Sequence, residues 1–186
     1  MRKCDINPFS FGNVSDLEIL WNQSQCSACR WLGRYGTVSA DSLSQLREMG
    51  GQYLENSKVH FPGSLYKLMD KAKVEDQVKF LVLTLDHIIE LMEASQHMNS
   101  EKWNPKTVGY FLKNLHRQSS ELKECVAQYQ KPLKFYEIRI NRHFRDLKKI
   151  LKKEKYSAQA WEKIRKTVRS HLHRMDIITS NAKKSF

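Results

Sequence analysis

Apolar residues return every three or four positions along most of this chain, and from Trp31 onward the pattern predicts helix almost throughout. In the first predicted helix Leu43, Leu46 and Met49 lie on one side. Ser39 reads as its N-cap, Asp41 puts negative charge in its first turn, and Gly50-Gly51 stops it. About twenty residues without a long period follow, with a short helical turn expected over Leu65 to Met69. A second long helix is expected from about Val74 to Ser95. Val78, Leu81, Val82, Leu85, Ile88, Ile89 and Met92 share one face, and Phe80, Leu83 and Leu91 sit opposite. Such wide apolar coverage marks the most buried helix, with a small exposed patch on its far side. A third helix starts at Asn104-Pro105, an N-cap followed by proline in the first turn, and carries Val108, Phe111, Leu112, Leu115, Leu122 and Val126. A fourth follows Pro132, with Leu133, Ile140, Phe144, Leu147 and Leu151 inward. The last runs from near Ser157 to about Ser180.

The connections set the topology. The three later ones are short, so those neighbours are expected to be antiparallel. The first is long enough to join a parallel pair by a crossover. The order up, up, down, up, down follows. This is an all-α, long-chain helical bundle of five helices with up-up-down-down topology and an extra helix in the second crossover. The domain is expected over residues 26–182, and residues 1–25 read as an irregular lead outside the core.

On a helical wheel Trp161, Ile164, Val168, Leu172 and Met175 fall within about 80° of one another. Their burial is worth on the order of 10 kcal/mol gross. A free nucleic-acid helix has no use for such a stripe, and four other striped helices favour a protein core. One flank of the same wheel carries Glu162, Arg165, Lys166, Arg169, His173 and Asp176, and it is expected to stay in solvent.

Charge sharpens this picture. The chain carries a net +12, and the segment from Lys131 to Arg174 alone holds 15 Lys/Arg against 4 Asp/Glu. Such a field attracts polyanions, anionic lipid or an acidic protein face. Lys148, Lys149, Lys152 and Lys153 in "RDLKKILKKEK" are candidates for heparan sulfate or an anionic membrane. No groove-reading module for specific nucleic acid is present. No apolar run is long enough for a membrane span. Cys26-Ser-Ala-Cys29 lacks both the context of a redox motif and the further ligands of a zinc site. The histidines are scattered, and His171 and His173 point about 200° apart on a helix. With no phosphate loop or nucleophile elbow, no enzyme, metal or cofactor is expected.

"YSAQAWEKIRKTVRSHLHRMDIITSNA" (residues 156–182) closely resembles the last helix of type I interferons. "CSACRWLGRYGTVSADSLSQLREMGG" (residues 26–51), "FPGSLY" and "EDQVKFL" look like the mature start, first helix, first long loop and second helix of the bony-fish members, carp-like ones in particular. The resemblance implies a monomeric antiviral cytokine of innate immunity that bridges two class II cytokine receptor chains and triggers JAK-STAT signalling. It implies one receptor face on the last helix, the first helix and the loop after it, with Arg165, Lys166, Arg169 and His173 as contacts. The second, third and fourth helices would form the other face. It also implies a disulfide between Cys29 and Cys125, with Cys26 as a competing partner. Secretion is implied, although the residues before Cys26 lack a hydrophobic leader; a leaderless form would stay in the cytoplasm, with the sequons at Asn13 and Asn22 bare. The alternative from charge alone is a cationic membrane-active or polyanion-binding host-defence protein.

Overall fold

A computed structural model describes residues 33–50, 59–97, 103–127, 129 and 131–183. Among them are six helices and no strand: α1 (Tyr35–Glu48), α2 (Gly63–Met69), α3 (Val74–His97), α4 (Pro105–Cys125), α5 (Lys134–Lys153) and α6 (Ala158–Lys183). The expected helical turn after the first helix is α2, so the bundle has the five expected long helices and one short one. The lead, Cys26, Cys29, Gly51 and both sequons lie outside the described residues.

Cross-helix hydrogen bonds fix the directions. Gln118 donates to Ser42 and Asn114 to Gln45, so α1 and α4 run opposite ways. Ser119 bonds Asp86 and His116 bonds Glu93, which makes α3 and α4 antiparallel. On α3 and α5, His87 meets Asn141 and Glu90 meets Lys148, in the same order along both chains, so this pair is parallel. Lys163 to Glu154 and His143 to His171 set α6 against α5. The result is the expected up, up, down, up, down. The helices α1, α4, α3 and α6 close a four-membered ring, and α5 packs outside it on α3 and α6.

The stripes meet in one core. Trp161, Ile164, Val168, Leu172 and Met175 of α6 are all buried, as are Val108, Phe111, Leu112, Leu115 and Leu122 of α4. Asn104 caps α4 as expected, its side-chain oxygen accepting from the amides of Lys106 and Thr107 at 3.0 and 3.2 Å. The Ser157 hydroxyl accepts from the Ala160 amide at 3.2 Å and starts α6 in the same way. Cys125 is buried and disulfide-bonded; its expected partner, Cys29, lies outside the described residues.

Two expectations need correction. The first helix begins at Tyr35, not at Ser39, which is fully buried one turn inside it. Tyr35, Ser39, Ser42 and Leu46 form one buried face, and the small serines allow close packing on the neighbouring helices. The far side of α3 is also largely covered, with Leu83 half-buried. Phe80 and Leu91 are buried, and the Phe80 ring meets Tyr66 of α2 edge-on at 5.4 Å. The short α2 helix covers a surface that the sequence pattern leaves open.

The turn from α5 to α6 is tight. The Tyr156 amide donates to Leu151 at 2.8 Å and the Lys155 amide to Lys152 at 3.1 Å, the paired bonds of a Schellman motif. Lys155 and Tyr156 hold φ of 52° and 54°, left-handed values usually left to glycine.

Candidate functional site

The outward flank of α6 presents Arg169 and His173 to solvent, with Lys166 half-buried beside them. The helix is held rigidly beneath them by its buried stripe. Arg174, on the other flank, pairs with Asp70 at the end of α2 at 2.6 Å and lies over the Tyr66 ring, 5.7 Å from its centre. The loop before α3 is thereby fastened to α6.

Arg165 does not join this flank. Its side chain is 0 % exposed, which overturns the expectation that it stands in solvent. Its Nη1 donates to the carbonyls of Leu46 at 2.9 Å and Arg47 at 3.3 Å. Its Nε and Nη2 hold the Glu162 carboxylate, the latter at 2.6 Å. The last carbonyls of a helix have no partner within it, and they carry its negative dipole end. A guanidinium answers both needs at once, because its fixed fork reaches carbonyls and carboxylate together. Glu162 also accepts from the Trp103 indole at 2.7 Å, and the Trp103 ring packs edge-on against Trp161 at 5.6 Å. The Asn104 amide donates to Met49 at 2.9 Å. The end of α1, the start of α4 and the first turns of α6 are thus tied in one knot. On the wheel Arg165 lies only about 20° from Leu172, the nearest of the flank residues to the buried stripe.

Gly50 belongs to the same knot. A Cβ there would lie 2.9 Å from the Arg165 Cζ and 3.0 Å from Glu162 Oε1. Close approach of the guanidinium, beyond simple helix termination, requires glycine at this position.

A second buried polar group joins residues far apart in sequence. The Tyr66 hydroxyl meets His171 Nδ1 at 2.6 Å, and His171 Nε2 meets His143 Nε2 at 2.9 Å. The Thr84 hydroxyl donates to Phe80 at 2.8 Å, which leaves it an acceptor for the Tyr66 hydroxyl. One order of protons then satisfies the chain: His143 to His171, His171 to Tyr66, Tyr66 to Thr84. Both imidazoles are neutral in it. Burial pushes His143 down to about 4, and burial pushes His171 well below its ordinary value, with His143 adding to the effect. Phe61 and Phe144 pack on His171 with ring centres 4.9 and 5.1 Å away. The group is part of the core, and among the described residues no cluster of His, Cys, Asp or Glu is placed to hold a metal ion.

The lysines of α5 divide into two kinds. Lys148 is half-buried on Glu90 of α3 at 2.5 Å, and its hydrogen bond lowers the Glu90 pKa. Lys149 is exposed and reaches Asp146 at 2.9 Å, and this contact lowers the Asp146 pKa. Lys152 and Lys153 are exposed and have no carboxylate partner among the described residues. Between α3 and α4, a groove of about 340 Å³ is lined by Asp86, Glu90, Glu93 and His116. No described helix is long and apolar enough to cross a membrane.

Comparison with known proteins places this geometry in a family. The family model of the interferon alpha/beta domain matches residues 35–182. The chain is a type I interferon. It is 43 % identical over 161 residues to interferon a3 of Oncorhynchus mykiss, covering 85 % of this chain and 89 % of that protein. It is 25 % identical over 161 residues to interferon type A3 of Gallus gallus, covering 80 % of this chain and 82 % of the relative. The solved structure of zebrafish interferon 1 superposes with a TM-score of 0.79 at 64 % identity, over 83 % of this chain and 99 % of that one. Zebrafish interferon 2 shares the fold, with a TM-score of 0.61 at 24 % identity, over 76 % of this chain and 96 % of that one. This interferon therefore belongs with helical cytokines of fish type. The family consists of secreted, non-enzymatic cytokines that bind cytokine receptors.

Proposed function

We propose that this interferon is secreted and acts as a monomer, bridging two class II cytokine receptor chains to trigger JAK-STAT signalling and an antiviral state. One chain docks on the outer flank of α6 at Lys166, Arg169 and His173, together with the adjoining end of α1. The other docks across α3, α4 and α5. The observation that carries the first assignment is the presentation of Arg169 and His173 by a helix whose opposite side is wholly committed to the core. A fixed cationic flank steers an acidic receptor surface and loses little side-chain order on docking. Arg165 supports this face from beneath and does not touch the receptor.

The membrane-active alternative gains nothing from the structure. A membrane-surface helix inserts its apolar stripe, and that of α5 is already used: Ile140, Phe144, Leu147 and Leu151 are all buried against the ring.

Binding to each immobilised receptor ectodomain, measured separately, tests the reading. Arg169→Glu is expected to weaken one chain by about tenfold or more and to spare the other. Equal loss for both would refute the division into two faces.

A further inference from the structure

Helix α5 carries the largest net charge of the described helices. Its twenty residues contain eight Lys/Arg and two Asp/Glu, which is half of the net charge of the protein. Burial sorts these cations. Lys148 is turned toward α3, and Arg139 lies over the Phe135 ring at 5.4 Å. Arg142, Arg145, Lys149, Lys152 and Lys153 are all exposed. At 100° per residue these five fall within about 100° of arc, and they extend about 17 Å along the axis. Asp146 borders the row, paired with Lys149 and within the field of Arg145, and among the described residues Arg142, Lys152 and Lys153 have no carboxylate partner.

We infer that this row is a binding site for a linear sulfated polysaccharide. The shape is a straight line of cations on a rigid helix, which fits a stiff chain with anions along its length. Guanidinium groups bind oxyanions through two parallel hydrogen bonds, and the ammonium groups add point charge. Lipid fits less well. The large apolar side chains left exposed on α5, Phe135 and Ile138, stand at its other end, before the row begins. Nucleic acid would require readable base contacts or stacking rings, and the row from Arg142 to Lys153 offers no exposed aromatic. The surface lies outside the four-helix ring, on the side of α5 facing away from α3 and α6.

The test is equilibrium binding of the full, oxidised chain to a heparin oligosaccharide at physiological salt. Desulfated heparin, phosphatidylserine vesicles and single-stranded RNA serve as comparators. The variant Arg142→Ala, Arg145→Ala, Lys149→Ala, Lys153→Ala is compared with an equally neutralised control, Lys67→Ala, Lys71→Ala, Lys113→Ala, Arg117→Ala. Thermal unfolding checks that both variants remain folded. Sulfated heparin is expected to bind best. The α5 variant is expected to lose on the order of ten- to a hundredfold in affinity, with a shallower salt dependence, and the control less than about threefold. Equal losses in the two variants would show an effect of net charge alone and overturn the assignment. So would absence of heparin binding at this salt, or binding to vesicles or RNA as tight as to heparin.

Discussion

The Arg165 guanidinium donates to the Leu46 carbonyl across 2.9 Å, so the last helix of the chain closes the end of the first. The two residues are 119 positions apart in the sequence. The contact changes what a basic residue on α6 means, because Arg165 and Arg169 sit one turn apart and one is buried while the other is exposed.

Replacing Arg165 by alanine leaves Glu162 without its cation and the carbonyls at the end of α1 without donors. Removing one partner of a buried ion pair costs about 3–5 kcal/mol. Urea denaturation should show this loss, with Arg165→Lys intermediate. Arg169→Glu, at an exposed position, should cost much less stability than Arg165→Ala while reducing receptor binding. Comparable stability losses for the two would contradict the separation.

Gly50→Ala is expected to destabilise by about 1–3 kcal/mol, because the guanidinium it meets is clamped on both sides and cannot withdraw. The double variant Gly50→Ala, Arg165→Ala should lose much less than the sum, since the clash disappears with the side chain. Additive losses would place the cost of the methyl group elsewhere.

Acid should weaken the fold through the buried histidines. The folded pKa of His143 is about 4, against an unfolded value near 6.5, so the unfolded chain takes up the proton first. The stability is complete above about pH 6.5 and falls as the pH drops toward 4. His143 alone contributes a loss of about 2 kcal/mol by pH 5, and His171 acts in the same direction. His60 opposes the proton on His143, and Asp146 favours it. Denaturation at pH 7 and pH 5 should therefore differ markedly for the parent and less for His143→Gln. An unchanged difference would assign the acid sensitivity to other groups.

Lys155 adopts a left-handed backbone at the turn between α5 and α6. Lys155→Gly should stabilise the protein by roughly 0.5–1 kcal/mol, because glycine adopts this conformation without steric cost. A calorimetric scan would show a higher midpoint; a lower one would mean that the lysine side chain contributes more than its backbone costs.

The apolar spacing made most of this structure legible. Val108 to Leu122 and Trp161 to Met175 mark their buried faces without ambiguity, and the Asn104-Pro105 start is a local signal with a local outcome. The misreadings have a common cause. Ser39 looked like a cap because serine counts as polar, although small size places it in a helix contact. Arg165 looked like surface because arginine is charged, although it lies at the edge of the buried stripe and meets carbonyls over a hundred residues away. Tyr66, Thr84, His143 and His171 come from four helices, and no spacing along the chain announces that they touch. Sequence periodicity reports which side of a helix is greasy. It does not report which polar groups find one another once the helices are packed.

Helix α5 has neighbours on one side only, outside a ring that is already closed by the other four. Releasing this outrigger would bare Ile140, Phe144, Leu147 and Leu151 but leave the contacts within the ring in place. The amide protons of α5 should therefore exchange with the solvent before those of α3 and α4.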